Sequence, residues 1–342
     1  MTNEQTAIVE IEKRVMTRRK KILSFSNLDK VIIQNITKTT AKGNIDNISR
    51  TKSYARFYYN NKEIQWSFLA SMVSRNAGYN MTDLEGEWFH KVLSKQERKA
   101  LFYTFERANW LIFADAFPQL LLYEYSKKLR KPLFYLLPAF SVSAFIETEW
   151  EYFWHFREGK RLITSQIINE QNIIQQPVIE HPLFKQKVFH TLFYNLQDFF
   201  HFSSVIFPTL EGQLYGFSVH NFTKLDERIE LGKKLASLLF HDKYYEFFYR
   251  FSRKVEHTGS RFDYEKYVGE RRFRNTPFLR TTFPICKHIR VETKDWYNGE
   301  RKKKWYKTVS IGNQFDLTNW FLKKQKQLQA GILIEDLLKN KD

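Results

Sequence analysis

Four short polar clusters set in apolar sequence hold the side chains that could do chemistry. Ser74-Arg75-Asn76 follows the run from Trp66 to Val73, and Asn80, Thr82 and Asp83 come shortly after. Glu106-Arg107-Ala108-Asn109 opens into Trp110-Leu111-Ile112-Phe113, with Asp115 and Gln119 beyond. Asn169-Glu170-Gln171-Asn172 lies between Ile167-Ile168 and Ile173-Ile174. Glu256-His257-Thr258-Gly259-Ser260-Arg261 leads to Asp263. A helix buried on most sides gives such groups no water, so they must bond to one another, to backbone or to a ligand.

The residue types suggest roles. Glu106 and Glu170 are carboxylates whose pKa burial would raise, and His257 is an imidazole that Asp263 could orient; these three are the candidate catalytic proton carriers. Arg75, Arg261 and Ser260, with nearby backbone N–H groups, suit a phosphate or carboxylate. Asn76, Asn80, Asp83, Asn109 and Asn169 would orient the ligand. At about 100° per residue Glu106 and Asn109 share a helix face, while Asp115 points away, so Glu106 and Asp115 do not make an acid/base pair on a straight helix. Each cluster also has a purely structural reading. Arg75 would pair with Asp83 or a carbonyl, Thr82 would cap a helix, Glu170 would lock two helices through Arg75 or Arg107, and residues 256–264 would be a well-bonded loop.

Familiar signatures do not occur: there is no phosphate-binding glycine loop, no G-x-S-x-G and no His-Glu-x-x-His. The nine histidines are dispersed and the one cysteine, Cys286, rules out a cysteine-based zinc site or an internal disulfide. No metal is expected and no cofactor is named. A single thiol fits a reducing, cytoplasmic home. The N-terminus lacks a secretory pattern, and the greasiest stretch, Leu133 to Ile146, is interrupted by Pro138 and falls short of the ~20 residues of a spanning helix. A protein without a transmembrane segment is expected.

The elements that must position these clusters read as mainly α. Apolar residues make up 43% of the 342-residue chain, whereas only 12 Gly and 8 Pro are available for the tight turns of an all-β fold. Ile8, Ile11, Val15 and Ile22 form the apolar stripe of an N-terminal helix over 7–25. Further helices are expected at 27–39, 48–60, 62–75 (stopped by Ala77-Gly78), from Ser94 to Pro118 or beyond, and at 140–157, 161–175, 183–202, 223–240, 241–255 and 316–339. Ser94 with Glu97 is a capping-box pattern, and Pro118 should kink or break its helix. Residues 207–216 read as a loop. The alternation from Thr281 to Thr293, the turn at Tyr297-Asn298-Gly299 and the stretch Trp305–Val309 predict a basic β-hairpin. The expected organisation is basic N-terminal helices over 1–42, a helical core over 43–265, and a basic hairpin with C-terminal helices over 266–342.

Net charge is +18 and is uneven. Residues 1–60 carry +7, residues 61–249 balance, and residues 250–342 carry +11. Two functional readings follow. In one, the clusters form a buried pocket for an anionic small molecule or phosphate-bearing substrate, with hydrolysis or group transfer by Glu/His acid–base chemistry. In the other, the polar core is structural, and the basic ends bind nucleic acid or an acidic membrane through Arg18, Arg19, Lys20, Lys21, Arg301, Lys302, Lys303 and Lys304. A solvated charged face is the bland alternative to the second.

The strings Ile48–Tyr54, Met72–Leu84, Glu106–Phe113 with Asp115–Tyr123, Ile167–Asn172 and His257–Arg261 resemble those of an uncharacterised bacterial family, the YppC-like proteins (domain of unknown function 2515). The resemblance covers about residues 45–265. It implies a soluble bacterial protein and supplies no activity, cofactor or catalytic residue.

Overall fold

The computed structural model describes residues 3–21, 24–86, 89–182, 204–219, 221–268, 276–290, 294–324 and 326. The chain is mainly α-helical with one small antiparallel sheet. Helix α1 (Asn3–Lys20) buries Ile8, Ile11 and Val15 and packs on α7 (Ala144–Phe156). Helices α2 (Asn27–Gly43), α3 (Asn47–Asn60) and α4 (Gln65–Asp83) follow, the first two opened by Ser26 and Asp46 side-chain caps. After the short α5 (Phe89–Val92), α6 (Lys95–Leu129) begins with the expected Ser94–Glu97 capping box. A 3-10 turn at Phe134–Phe140, α7 and α8 (Gly159–Ile173) complete the first half. Strands β1 (Ser204–Pro208) and β2 (Leu214–Ser218) precede α9 (Leu225–Leu239) and α10 (Tyr245–Lys254). The largest apolar cluster draws on residues from Ile8 to Trp305, with α3, α4, α6, α7 and α8 at its centre.

Three expectations are corrected. Helix α4 does not stop at Gly78 but runs five residues further to Asp83. The glycine serves close packing: a Cβ there would stand 2.4 Å from Asn47 Oδ1 and 2.8 Å from His257 Nε2. Thr82 is therefore inside the helix, and its hydroxyl donates to the Gly259 carbonyl instead of capping. Helix α6 passes unbroken through Pro118, held by burial along both flanks.

The sheet lies where a loop was expected, with Val205 opposite Phe217 and Phe207 opposite Tyr215. Gly216 has no room for a side chain, since a Cβ would meet the Val205 carbonyl. The expected basic hairpin does not form among the described residues of 281–309. Gly299 does make a turn, at φ 95°. Its flanks are used otherwise: the Trp296 indole donates to Asn169, the Tyr297 hydroxyl to Glu12, and the Trp305 indole to Asp226. Residues 303–306 wind into a 3-10 turn. The helix expected at 183–202 lies outside the described residues, as does most of the one at 316–339.

Candidate functional site

The clusters resolve into separate networks. The first joins α4 to the loop after α10. Arg261, fully buried, donates from Nε to Asp83 at 2.8 Å, from Nη2 to Asn80 at 2.9 Å and from Nη1 to the Tyr264 hydroxyl at 2.6 Å. Burial alone would lower its pKa, but the Asp83 carboxylate outweighs it and the net shift is upward. Arg75 donates to the Val255 carbonyl at 2.7 Å, so its partner is backbone and not Asp83. Ser260 is bonded to Thr276. Arg261 is closed by its own partners, whereas Arg75 Nη1 and the Tyr79 hydroxyl are buried without a hydrogen-bond partner among the described residues.

His257 is closed in the same network. Its Nε2 lies 2.8 Å from Asn47 Oδ1 and its Nδ1 3.3 Å from Asp263 Oδ2. The Asn47 amide N–H group is committed to the Ser74 carbonyl, so His257 must donate from Nε2. Burial pushes the imidazole down to about 4, helped by Arg75 and opposed by Asp263. In the neutral ring that proton leaves Nδ1 bare opposite the Asp263 carboxylate, so only the Asn47 contact is a hydrogen bond, and Asp263 takes its own hydrogen bonds from the Thr258 N–H and hydroxyl.

Asn76 has a different task. Its amide donates to the Ser204 carbonyl at 3.2 Å and accepts from the Ile206 N–H at 3.1 Å, standing beside β1 as one residue of a neighbouring strand would. Asn109 bonds back to the Phe105 carbonyl of its own helix.

The second network lies between α6 and α8. Asp115, fully buried, accepts from Asn169 at 2.7 Å, from Gln119 at 2.8 Å and from Arg290 at 3.3 Å. Burial outweighs these donors and raises its pKa. Asn169 also accepts from Ser143 and from the Trp296 indole.

The third centre joins α3, α4, α6 and α8, and it holds the chemistry that remains open. Arg50 on α3 donates to Glu106 on α6, both buried, and reaches Asn44 Oδ1 at 3.2 Å. One turn after Arg50, the Tyr54 ring packs edge-on against Trp66 with centroids 5.5 Å apart. The Trp66 indole donates to Glu170 Oε2 at 3.0 Å, and Gln171 donates to Oε1 at 3.1 Å. Among the described residues no arginine is bonded to Glu170, unlike the expected lock with Arg75 or Arg107. Burial therefore dominates its carboxyl, and the two neutral donors only partly offset it, leaving the pKa at about 7. Burial, with the Glu170 charge, also pushes Tyr54 well above its ordinary value. Around this centre the Tyr54 hydroxyl, Arg50 Nε and His288 Nε2 are buried without hydrogen-bond partners.

A cleft of about 380 Å³ opens beside Glu106, with Asp46, Arg280 and Cys286 on its walls. One wall belongs to the extended stretch 283–290. Its even-numbered side chains Cys286, His288 and Arg290 turn inward, while Ile285 and Ile289 are exposed. His288 Nε2 stands 3.8 Å from Glu106, and Arg290 reaches Asp115. The alternation read as a strand was real, but its inward residues address helix carboxylates. Burial, then the Glu106 charge, raises the Cys286 thiol pKa.

Arg50, Tyr54, Trp66 and His288 were not singled out from sequence. Arg50 and Tyr54 had a signal, an arginine and a tyrosine at i and i+4 inside the string Ile48–Tyr54. His288 had none, because it reaches Glu106 only across 182 residues of chain.

Half of the eight basic residues singled out at the two ends are paired within the molecule. Arg18 pairs with Glu147 and Glu151, and Arg19 with Glu147 and Asp295. Arg301 pairs with Glu12 and Glu149, and Lys304 with Asp226. Lys20, Lys21, Lys302 and Lys303 stay exposed, with Lys302 over the Trp305 ring. Among the described residues no helix is long and apolar enough to cross a membrane, and no group of three or more His, Cys, Asp or Glu is placed to hold a metal ion.

A family model described as "Protein of unknown function (DUF2515)" matches residues 42–328. The chain is 49% identical over 309 residues to the uncharacterized protein YppC of Bacillus subtilis (strain 168), covering 90% of this chain and 96% of that one. No solved structure matches. The family match spans α3, α4, α6 and α8 and thus every network described above, and on it the chain belongs to the DUF2515 family of proteins of unknown function.

Proposed function

We propose that the centre between α3, α4, α6 and α8 is an acid–base site for a small ligand, serving hydrolysis or group transfer. Glu170 is the proton acceptor, Tyr54 and Arg50 are donors for developing negative charge, and Glu106 holds Arg50 in place. The cleft beside Glu106 is the entry. His257, buried and bonded through Nε2 to Asn47, is left a structural role. The observation that carries the reading is the Glu170 carboxyl, held near neutrality by burial with only neutral donors, beside a buried tyrosine hydroxyl that has no partner. Such convergence of a perturbed carboxyl with unpaired donors marks functional sites more often than packing alone does. A cytoplasmic setting belongs to the same reading, since a single cysteine suits a reducing compartment.

Carboxyl infrared difference spectra across pH 5–9 test the acid–base assignment. One carboxyl should titrate near 7 in the native protein and vanish in Glu170→Gln. The same substitution should abolish turnover in a panel of chromogenic esters and phosphoesters without lowering the melting temperature. Titration of Glu170 in the ordinary carboxylate range would remove the basis of the proposal.

A further inference from the structure

Away from that centre, α2, α3 and α6 enclose a second cleft, of about 760 Å³. Its cations are Lys42 on α2, Arg56 on α3, and Lys127 and Lys128 on α6. Lys127 is engaged with Glu63 at 2.7 Å and Asn61 Oδ1 at 2.9 Å. Lys42, Arg56 and Lys128 are exposed and have no carboxylate partner among the described residues; Lys128 lies over the Tyr125 ring. The one acid lining the cleft, Glu124, already accepts from the Asn61 amide at 3.0 Å. Around this one cleft, then, three open cations face a single carboxylate that is already hydrogen-bonded.

Lysines in the last turn of a helix are ordinarily explained by the negative end of the macrodipole, and that covers Lys42 and Lys128. It does not cover Arg56. The last turn of α3 carries no base, and Arg56 precedes it while lining the same cleft. Phe57, Phe117 and Leu121 supply the apolar part of the lining, beside Thr39, Ser53, Asn60 and Asn61. Phe117 stacks on Phe113 at 4.5 Å and lies 6.2 Å from Tyr54, so an aromatic layer separates this cleft from the acid–base centre.

We infer that this cleft binds a phosphate ester carrying an apolar or aromatic group. The phosphate meets Arg56, Lys42 and Lys128, with the planar guanidinium supplying paired donors, and the organic part lies on Phe57, Phe117 and Leu121. The inference stands apart from the Glu170 reading, because none of the four groups of that centre lines this cleft.

Calorimetric titration with phenyl phosphate and with inorganic phosphate, at low and high salt, tests it. Phenyl phosphate should bind more tightly than inorganic phosphate, with an affinity that falls as salt rises. Arg56→Gln with Lys128→Gln should weaken binding by about tenfold or more, close to the loss of a charge-assisted contact. The charge-matched control, Lys20→Gln with Lys21→Gln, should leave it unchanged. Equal weakening in both double variants would reduce the effect to net charge and overturn the site. Absence of phenyl phosphate binding to the native protein at millimolar concentration would overturn it as well.

Discussion

At the scale of single residues, the Arg50–Glu106 pair sets the character of the interior. Both side chains are almost fully buried, so each is tolerable only because the other is present. Removing one partner leaves a bare charge in a medium that solvates it poorly. Arg50→Met should cost about 3–5 kcal/mol, whereas Arg50→Met combined with Glu106→Leu should recover most of that loss. Urea denaturation of the three variants decides it. Simple addition of the two single losses in the double variant would mean the pair is not coupled. The same comparison separates fold from chemistry, since a stable double variant would still lack both the Arg50 donor and the carboxylate that positions it for the proposed reaction.

At the scale of elements, the helices were readable and the connections were not. Helices α2, α3 and α6 start within a residue of their expected positions, where Ser26, Asp46 and Ser94 cap them by side-chain bonds that act within three residues. Gly78 and Pro118 misled for the opposite reason. Both are helix breakers in isolation, and both sit where long-range packing overrides local preference. The stretch 283–290 kept its alternating pattern, but the partners of His288, Arg290 and, further on, Trp296 are Glu106, Asp115 and Asn169, from helices far off in sequence. The polar clusters were visible as polar residues in apolar surroundings. What each one bonds to was not, since Arg261 with Asp83, Arg50 with Glu106, and Trp66 with Glu170 are all pairs distant in sequence. Gly78 gives the sharpest test at this scale. On an open helix Gly→Ala gains up to about 1 kcal/mol. Here the added methyl meets Asn47 and His257, and the net effect should be a loss of about 1–3 kcal/mol, as for other overpacked interiors. A rise in melting temperature for Gly78→Ala would show that α4 can shift away from the loop.

At the scale of the whole molecule, His257 and Glu170 pull stability in opposite directions with pH. His257 has its pKa lowered from 6.5 to about 4, so the unfolded chain takes up its proton first; the stability it contributes is present above 6.5 and lost as pH falls toward 4. Glu170 has its pKa raised from 4.5 to about 7, so the native state holds its proton longer; its contribution is present below 4.5 and lost as pH rises through 7. Each effect amounts to about 3 kcal/mol over its full range. Between 4.5 and 6.5 they oppose one another, and these two groups together leave stability nearly level. Glu170→Gln should remove one arm, so that unfolding free energy climbs with pH across that window while the native protein stays flatter. Parallel profiles for the two proteins in denaturant titrations at pH 4.5, 5.5 and 6.5 would contradict this.

The amide of Asn76 has a consequence for how copies of this protein meet. A strand edge with free N–H and C=O groups is a template on which another chain can grow a sheet. Asn76 fills both hydrogen-bonding positions at Ser204 and Ile206, and on the far side of the sheet Phe315 and Leu317 pair with Gly216 and Leu214. The sheet is too small to be a scaffold, but it is finished at both margins. It offers neighbours nothing to extend, which protects a chain rich in aromatic, β-prone sequence from edge-to-edge aggregation at high concentration.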